Sequence, residues 1–240
     1  MRVLCNATLI LLSLISMSVT AETVIRLNTT GQPPLNTTQQ DGFMDEVATE
    51  AFHRIGIRLE TTRLPAERGL KSANSGLEDG EMSRVAGLDK IYKNLVRVPE
   101  KIMDWEFVAF AYNPISLEQG WSALSGKSVA HINGWKILEK NVPAEAEVTR
   151  TAGAESLFKL LRKKRTDFIL YERWGGHYKL EKLAMTDVQR CAEPLIVKKM
   201  YIYLHKKHKE LVPKLAKAMA AMKADGSYEK LFKKHLQPYE

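Results

Sequence analysis

SVAHINGW (128–135) packs a β-type run, a glycine and an aromatic residue into eight positions, the pattern of a strand that turns straight into a helix. It decides the fold because the same order of elements has already run once upstream. VIRLN (24–28) is a β-type run, followed by a Gly-Pro-Pro loop and then GFMDEVATEAFHRIGI (42–57). In that segment Met44, Val47, Ala48, Ala51, Phe52 and Ile55 recur at helical spacing, and Gly56 stands where a C-terminal glycine ends a helix. IRLETTRL (57–64) reads as strand, PAERGLKSANSG (65–76) as helix with Pro65 in its first turn, and LVRVPEKI (95–102) alternates again. After Asn113-Pro114 the pattern restarts at SVAHI. EVTRT (147–151) is strand, AESLFKLLRKK (154–164) an amphipathic helix, and TDFILY (166–171) a buried strand flowing into another helix. Residues 200–235 add one strand and two helices. Two such blocks predict two α/β lobes, each a mixed sheet flanked by helices.

The chain of 240 residues begins MRVLCNATLILLSLISMSVTAE: one basic residue, an apolar run, then small residues before Ala21. That is the pattern of a secretory signal peptide over residues 1–21, with the mature chain starting at Glu22. No later segment holds the roughly 18 uninterrupted apolar residues of a spanning helix. Of the two cysteines, Cys5 falls in the signal and only Cys191 remains, so no intrachain disulfide is expected and Cys191 reads as an inert buried thiol. A net charge of +8 raises nucleic acid or an anionic membrane as partners, and the signal peptide argues against nucleic acid. Eleven lysines between 198 and 235 surround the apolar stripe of Leu211, Leu215, Ala218, Met219 and Met222, and read as a solvated face.

Several stretches together are similar to the periplasmic solute-binding proteins of the amino-acid-binding type, family 3. QPPLN (32–36) and the helix after it resemble the family's opening loop and first helix. SGLEDG (75–80) resembles its turn into a strand, and LSGKSVAHINGW (124–135) the strand that opens its second lobe. TDFILYER (166–173) resembles the lobe-two strand in which an acidic residue follows an Asp by five, and KADGSYEKLFKKH (223–235) the C-terminal ending. The resemblance implies a two-lobed, type II periplasmic-binding-protein-like fold with a ligand in the cleft between lobes and two hinge crossings, near 104–112 and 191–199. Lobe 1 would be residues 22–108 plus 196–240, and lobe 2 residues 109–195. It further implies a monomer in the periplasm that takes up a small molecule and passes it to an inner-membrane permease or a sensor, with no cofactor.

An amino-acid ligand needs a cation for its carboxylate, a carboxylate for its ammonium, and apolar or aromatic walls. Arg84, at the end of GEMSR (80–84), has the chemistry of the carboxylate clamp, with pairing to Glu81 as the alternative. The Thr-x-x-Arg usual in the family is missing, and GLDKIYK (87–93) stands in its place. Glu172, five after Asp167, falls where the family's ammonium-binding acid sits; a helix-start acid is the alternative. Gly134 and Trp135 open a helix whose N–H groups suit an anion. Arg68 on its helix and Trp105 and Trp174 as aromatic walls complete the candidate set, with surface pairing or core packing as their alternatives.

Catalytic patterns are absent: there is no G-x-S-x-G, no H-E-x-x-H and no Gly-rich phosphate loop. His205 and His208 lie three apart among lysines, which disfavour a bound cation. The reading is a binding protein, not an enzyme. Two others stand beside it: an accessory or sensory protein of the same fold that binds a protein partner, and an enzyme resembling the cyclohexadienyl dehydratases, using Glu172 as acid.

Overall fold

The computed structural model describes residues 23–239, so the signal-peptide reading and Cys5 lie outside the described residues. Nine strands form one mixed sheet in the order β2-β1-β3-β9-β4-β7-β5-β6, with β8 beside β4. The first block gives β1 (Val24–Thr29), α1 (Phe43–His53), β2 (Arg58–Arg63), α2 (Ala66–Ser75) and β3 (Gly80–Arg84). The second gives β5 (Ser128–Ile132), α3 (Lys136–Asn141), β6 (Glu147–Thr151), α4 (Ala154–Arg162), β7 (Phe168–Glu172) and α5 (Arg173–Lys182). Two long strands join the blocks, β4 (Leu95–Ala111) and β9 (Ile196–His205), with the short β8 (Gln189–Arg190) between β7 and β9 in sequence. Helices α6 (Leu211–Ala224) and α7 (Ser227–His235) close the chain. Pro65 caps α2 from the position before its first turn, a slight displacement from the expected place.

β4 and β9 are antiparallel from Leu95–His205 through to Phe107–Ile196. Their register is irregular from Arg97 to Met103, with shifts between Arg97 and Lys101, around Pro99, which has no N–H to give to the ladder, and again between Lys101 and Met103. Beyond that irregularity the two strands continue side by side through Trp105–Lys198 and Glu106–Val197.

The cores follow from strand alternation. Along β4, Phe107, Ala109 and Ala111 join one cluster with Phe168 and Leu170 of β7, while Val108 and Phe110 join the opposite cluster with Ile169 and Tyr171. Both faces are apolar because helices cover both. The first block packs around α1, whose Phe43, Met44, Val47, Ala48, Ala51 and Phe52 are buried, and around Leu215, Met219 and Met222 of α6. Into this first-block core comes one residue of the second, Trp174 from α5, 4 % exposed and edge-on to Phe232 of α7 at 5.5 Å.

A buried polar cluster fixes the end of β3. Asn28 Nδ2 donates to the Gly69 and Gly80 carbonyls, each at 3.1 Å, tying β1 to α2 and β3. A Cβ at Gly69 would lie 2.2 Å from Asn28 Oδ1 and 2.8 Å from Glu81 Oε2, so only glycine lets the helix lie this close. Arg84 Nη2 contacts Glu81 Oε1 at 2.7 Å and donates to the Ala66 carbonyl at 3.0 Å. Glu81 is fully buried, and burial pushes its carboxyl up from 4.5 to about 7, with the Arg84 charge offsetting only part.

Two outcomes follow. Trp174→Ala removes a buried indole from the first-block core and is expected to lower unfolding free energy by about 3–5 kcal/mol in denaturant titration. The folded chain holds the Glu81 proton more tightly than the unfolded one, so the stability from this group is complete below pH 4.5 and is lost as pH rises through about 7. Glu81→Gln should therefore flatten stability against pH over that window relative to the unaltered protein; parallel curves would refute the assignment. The difference isolates Glu81, because Glu172 slopes the same way and His177, pushed down to about 4 by burial, slopes the other.

Candidate functional site

The loop after β1 is pinned from beneath. Asp45, buried in the first turn of α1, accepts from Asn36 Nδ2 (2.6 Å), Thr37 N (2.8 Å) and Gly42 N (3.2 Å). Asn36 Oδ1 in turn accepts from Thr29 Oγ1 at 3.1 Å, and Arg63 Nη2 donates to the Gly31 carbonyl at 2.8 Å and the Asn36 carbonyl at 3.3 Å. A Cβ at Gly31 would lie 1.8 Å from Asn36 Oδ1, so glycine is required where the loop doubles back. These bonds hold Thr30, Gly31, Gln32 and Leu35 against the second block, where they close one side of a cavity of about 30 Å³.

Trp105, Trp135, Tyr171, Glu172 and Gly175 form the other side. Trp135 stacks on Tyr171, centroids 5.0 Å apart and planes 16° from parallel, and meets Phe107 edge-on at 5.8 Å. Phe107 also meets Trp105 at 6.2 Å, so one chain of aromatic rings runs along this wall. The Trp105 indole N–H is buried without a hydrogen-bond partner among the described residues. Glu172 caps α5: Oε1 accepts from Trp174 N at 3.0 Å and Oε2 from Gly175 N at 2.8 Å. Burial raises its carboxyl to about 7 against the pull of these two N–H groups; the Glu106 charge adds to the rise and Arg173 opposes it. Burial and the Glu172 charge also push the Tyr171 phenol up. A Cβ at Gly175 would lie 3.1 Å from the Tyr171 ring and 3.2 Å from Glu172 Oε2, so a larger residue would crowd the cavity.

Of the residues singled out from sequence, the cavity brings together Glu172, Trp105 and Trp135. Arg84 is turned to Glu81 and away from this lining. Arg68 is exposed on α2. Trp174 lies in the core beneath, with the Arg173 guanidinium 4.2 Å from its ring centroid. Gly134, at φ +83°, gives its N–H to Glu139 Oε1 at 2.7 Å, and the helix it opens starts only at Lys136. Sequence reasoning passed over Tyr171, Gly175 and the loop residues Thr30–Gln32. The signal for Gly175 was the Gly175-Gly176 pair in the first turn of a helix, where glycine is costly unless space demands it. Space does demand it: a Cβ at Gly176 would lie 2.2 Å from the Phe110 ring.

A larger, open depression of about 440 Å³ lies between residues 33–42 and the end of α7. Its Lys234 and His235 both pair with Glu46, so little net charge remains there to grip an ion. Cys191 is buried, and burial raises its thiol. His208 is taken by Asp79 at 2.7 Å. Among the described residues no helix is long and apolar enough to cross a membrane, and no group of three or more His, Cys, Asp or Glu could hold a metal ion.

The geometry has counterparts. A protein of uncharacterised function from Shewanella oneidensis (strain MR-1) is 27% identical over 198 residues, covering 77% of this chain and 72% of the relative. An ancestral arginine-binding protein bound to glutamine superposes with a TM-score of 0.72 at 19% identity, covering 90% of this chain and 98% of the other. The GluR0 ligand-binding core in complex with L-glutamate gives 0.76 at 14% identity, with 90% and 99% covered. A histidine kinase sensor domain with similarity to periplasmic binding proteins gives 0.70 at 16%, with 90% and 96% covered. These likenesses establish the two-lobed fold. Residues 109–238 match the model for bacterial extracellular solute-binding proteins, family 3, and since that match spans more than half of the chain, the protein belongs to this family.

Proposed function

We propose that the protein captures a small polar ligand, an amino acid or related organic ion, in the cavity between its lobes and delivers it from the periplasm to a membrane permease or a sensor. The lobes of this reading divide after residue 108 and before residue 196, and residues 1–21 act as its export signal. One observation carries it: a pinned first-block loop and an aromatic, acid-bearing wall of the second block meet around a single cavity. Ligand contacts from both sides exist only when the lobes are together, so the ligand favours the closed state by its differential affinity. The fold match to a histidine kinase sensor domain supports delivery to a sensor as the second outcome of capture. Binding rather than turnover is proposed, in keeping with the family.

The test is thermal melting and tryptophan fluorescence of purified protein, dialysed from mild denaturant to strip carried-over ligand, against amino acids, amines and organic acids. A ligand at a hundred times its dissociation constant adds about 2.7 kcal/mol of stability, a clear rise in midpoint. Trp135→Phe, which keeps an aromatic ring against Tyr171 and Phe107 but removes part of the wall, should weaken that ligand while moving the unliganded midpoint far less than Trp174→Ala does. No shift with any compound would refute ligand capture.

A further inference from the structure

We infer that Lys198 of β9, together with the indole N–H of Trp105, seats the carboxylate of the ligand at the junction between the two blocks; this deepens the proposed capture of a ligand and rests on it. Trp105 and Lys198 are direct partners in the β4–β9 ladder, so their side chains leave the same face of the sheet. From Met103–Met200 to Phe107–Ile196 the register is unbroken. On that face Met103 and Met200 are buried in the first-block core, while Phe107 and Ile196 pack in the core of the second. The Trp105–Lys198 pair falls between them, and Trp105 packs against both cores and lines the cavity. The strands that join the blocks thus present a cation where the blocks meet.

The acids on the opposite face of the same ladder are matched. There Asp104 holds Lys101 at 2.5 Å and Glu106 holds Arg173 at 3.1 Å. Lys198 is half-buried, and its ammonium has no ion pair or side-chain hydrogen bond among the described residues. A partly desolvated charge without a counter-charge is costly, and an arriving anion removes that cost. The Trp105 N–H is buried and equally without an acceptor. Two donors on paired residues match the two oxygens of a carboxylate, and the charge-assisted bond from the ammonium is the stronger of the two. Arg63, the other cation beside the cavity, spends its Nη2 on the Gly31 and Asn36 carbonyls. Glu172, on the second-block side, already accepts two backbone N–H groups of α5. A void of about 30 Å³ obliges the blocks to part for any ligand larger than a water molecule, and the flexible four-carbon stem of Lys198 lets its ammonium follow the ligand over Trp105.

Calorimetric titration of matched pairs on purified protein stripped of ligand tests the seat: lactate against lactamide, succinate against succinamide, and glutamine against glutaminamide. At least one carboxylate should bind at least tenfold tighter than its amide partner. Lys198→Met, which keeps the stem and removes the charge, should weaken that carboxylate at least tenfold, and its thermal midpoint without ligand should stay the same or rise, because no partner is lost. Lys198→Arg should restore most of the affinity, and Trp105→Phe should cost less than Lys198→Met because the donor it removes is neutral. A carboxylate bound equally well by Lys198→Met and the unaltered protein, or amides that bind as tightly as their carboxylates, would overturn the seat while leaving ligand capture intact. Binding of no member of any pair, with no response across the broader panel, would bring down ligand capture and the seat with it.

Discussion

The antiparallel pairing of β4 with β9 is the constraint on which the rest of the molecule depends. β1, β2 and β3 reach the remaining strands only through β9, and β5, β6 and β7 only through β4. The pair bonds from Leu95–His205 to Phe107–Ile196, so the two blocks are one hydrogen-bonded sheet rather than two bodies on flexible tethers. Trp105 sits near one end of this pair, opposite Lys198, and lines the small cavity. A side chain carried by a paired strand is placed more tightly than one on a loop, because its backbone is fixed on both sides. The opposing face of the cavity is a loop, and it reaches comparable definition only through the bonds from Arg63, Asn36 and Asp45 beneath it.

Three buried carboxyl groups show how partners rather than burial set their roles. Asp45, Glu81 and Glu172 are all inaccessible, and burial raises each of them. Asp45 accepts one side-chain and two backbone N–H groups and serves as a fastener for the loop. Glu81 has one guanidinium and no backbone donor, so its charge is the most exposed to loss of a single partner. Glu172 is satisfied by its own helix and also lines a space, which leaves its remaining lone pairs for something that arrives from outside.

Most elements were legible from pattern. The apolar stripes of α1 and α6 and the two-sided apolar runs of β5 and β7 each follow from one local periodicity, and each folds as read. Arg84 shows why the site was harder. In a regular strand, residues three apart point to opposite faces, so alternation alone gave no reason to prefer the Glu81 pairing that stood as the alternative to a ligand clamp. A bulge in β3 between Glu81 and Arg84, where three steps on one strand face two on β9, breaks that alternation and brings the charges together. No periodicity in GEMSR announces a bulge. Trp174 is a second case: its neighbour Phe232 is fifty-eight positions away, and only the docking of α7 makes the indole part of the first-block core. Glu172, by contrast, needed only its place at a strand-to-helix junction.

Glu172 and Trp174 are two residues apart, one lining the cavity and the other seated in the opposite block's core, and this adjacency restricts how the cavity can open. Withdrawing an indole from a packed core costs about 3–5 kcal/mol, a large part of the roughly 8 kcal/mol that a micromolar ligand supplies. An opening that unseated Trp174 would therefore consume much of the free energy that closure returns. An opening that bends β4 and β9 near Trp105 and leaves the first turn of α5 in place carries no such cost. Trp174 then holds the first turn of α5, and with it Glu172, to the same block that carries the Thr30–Gln32 loop.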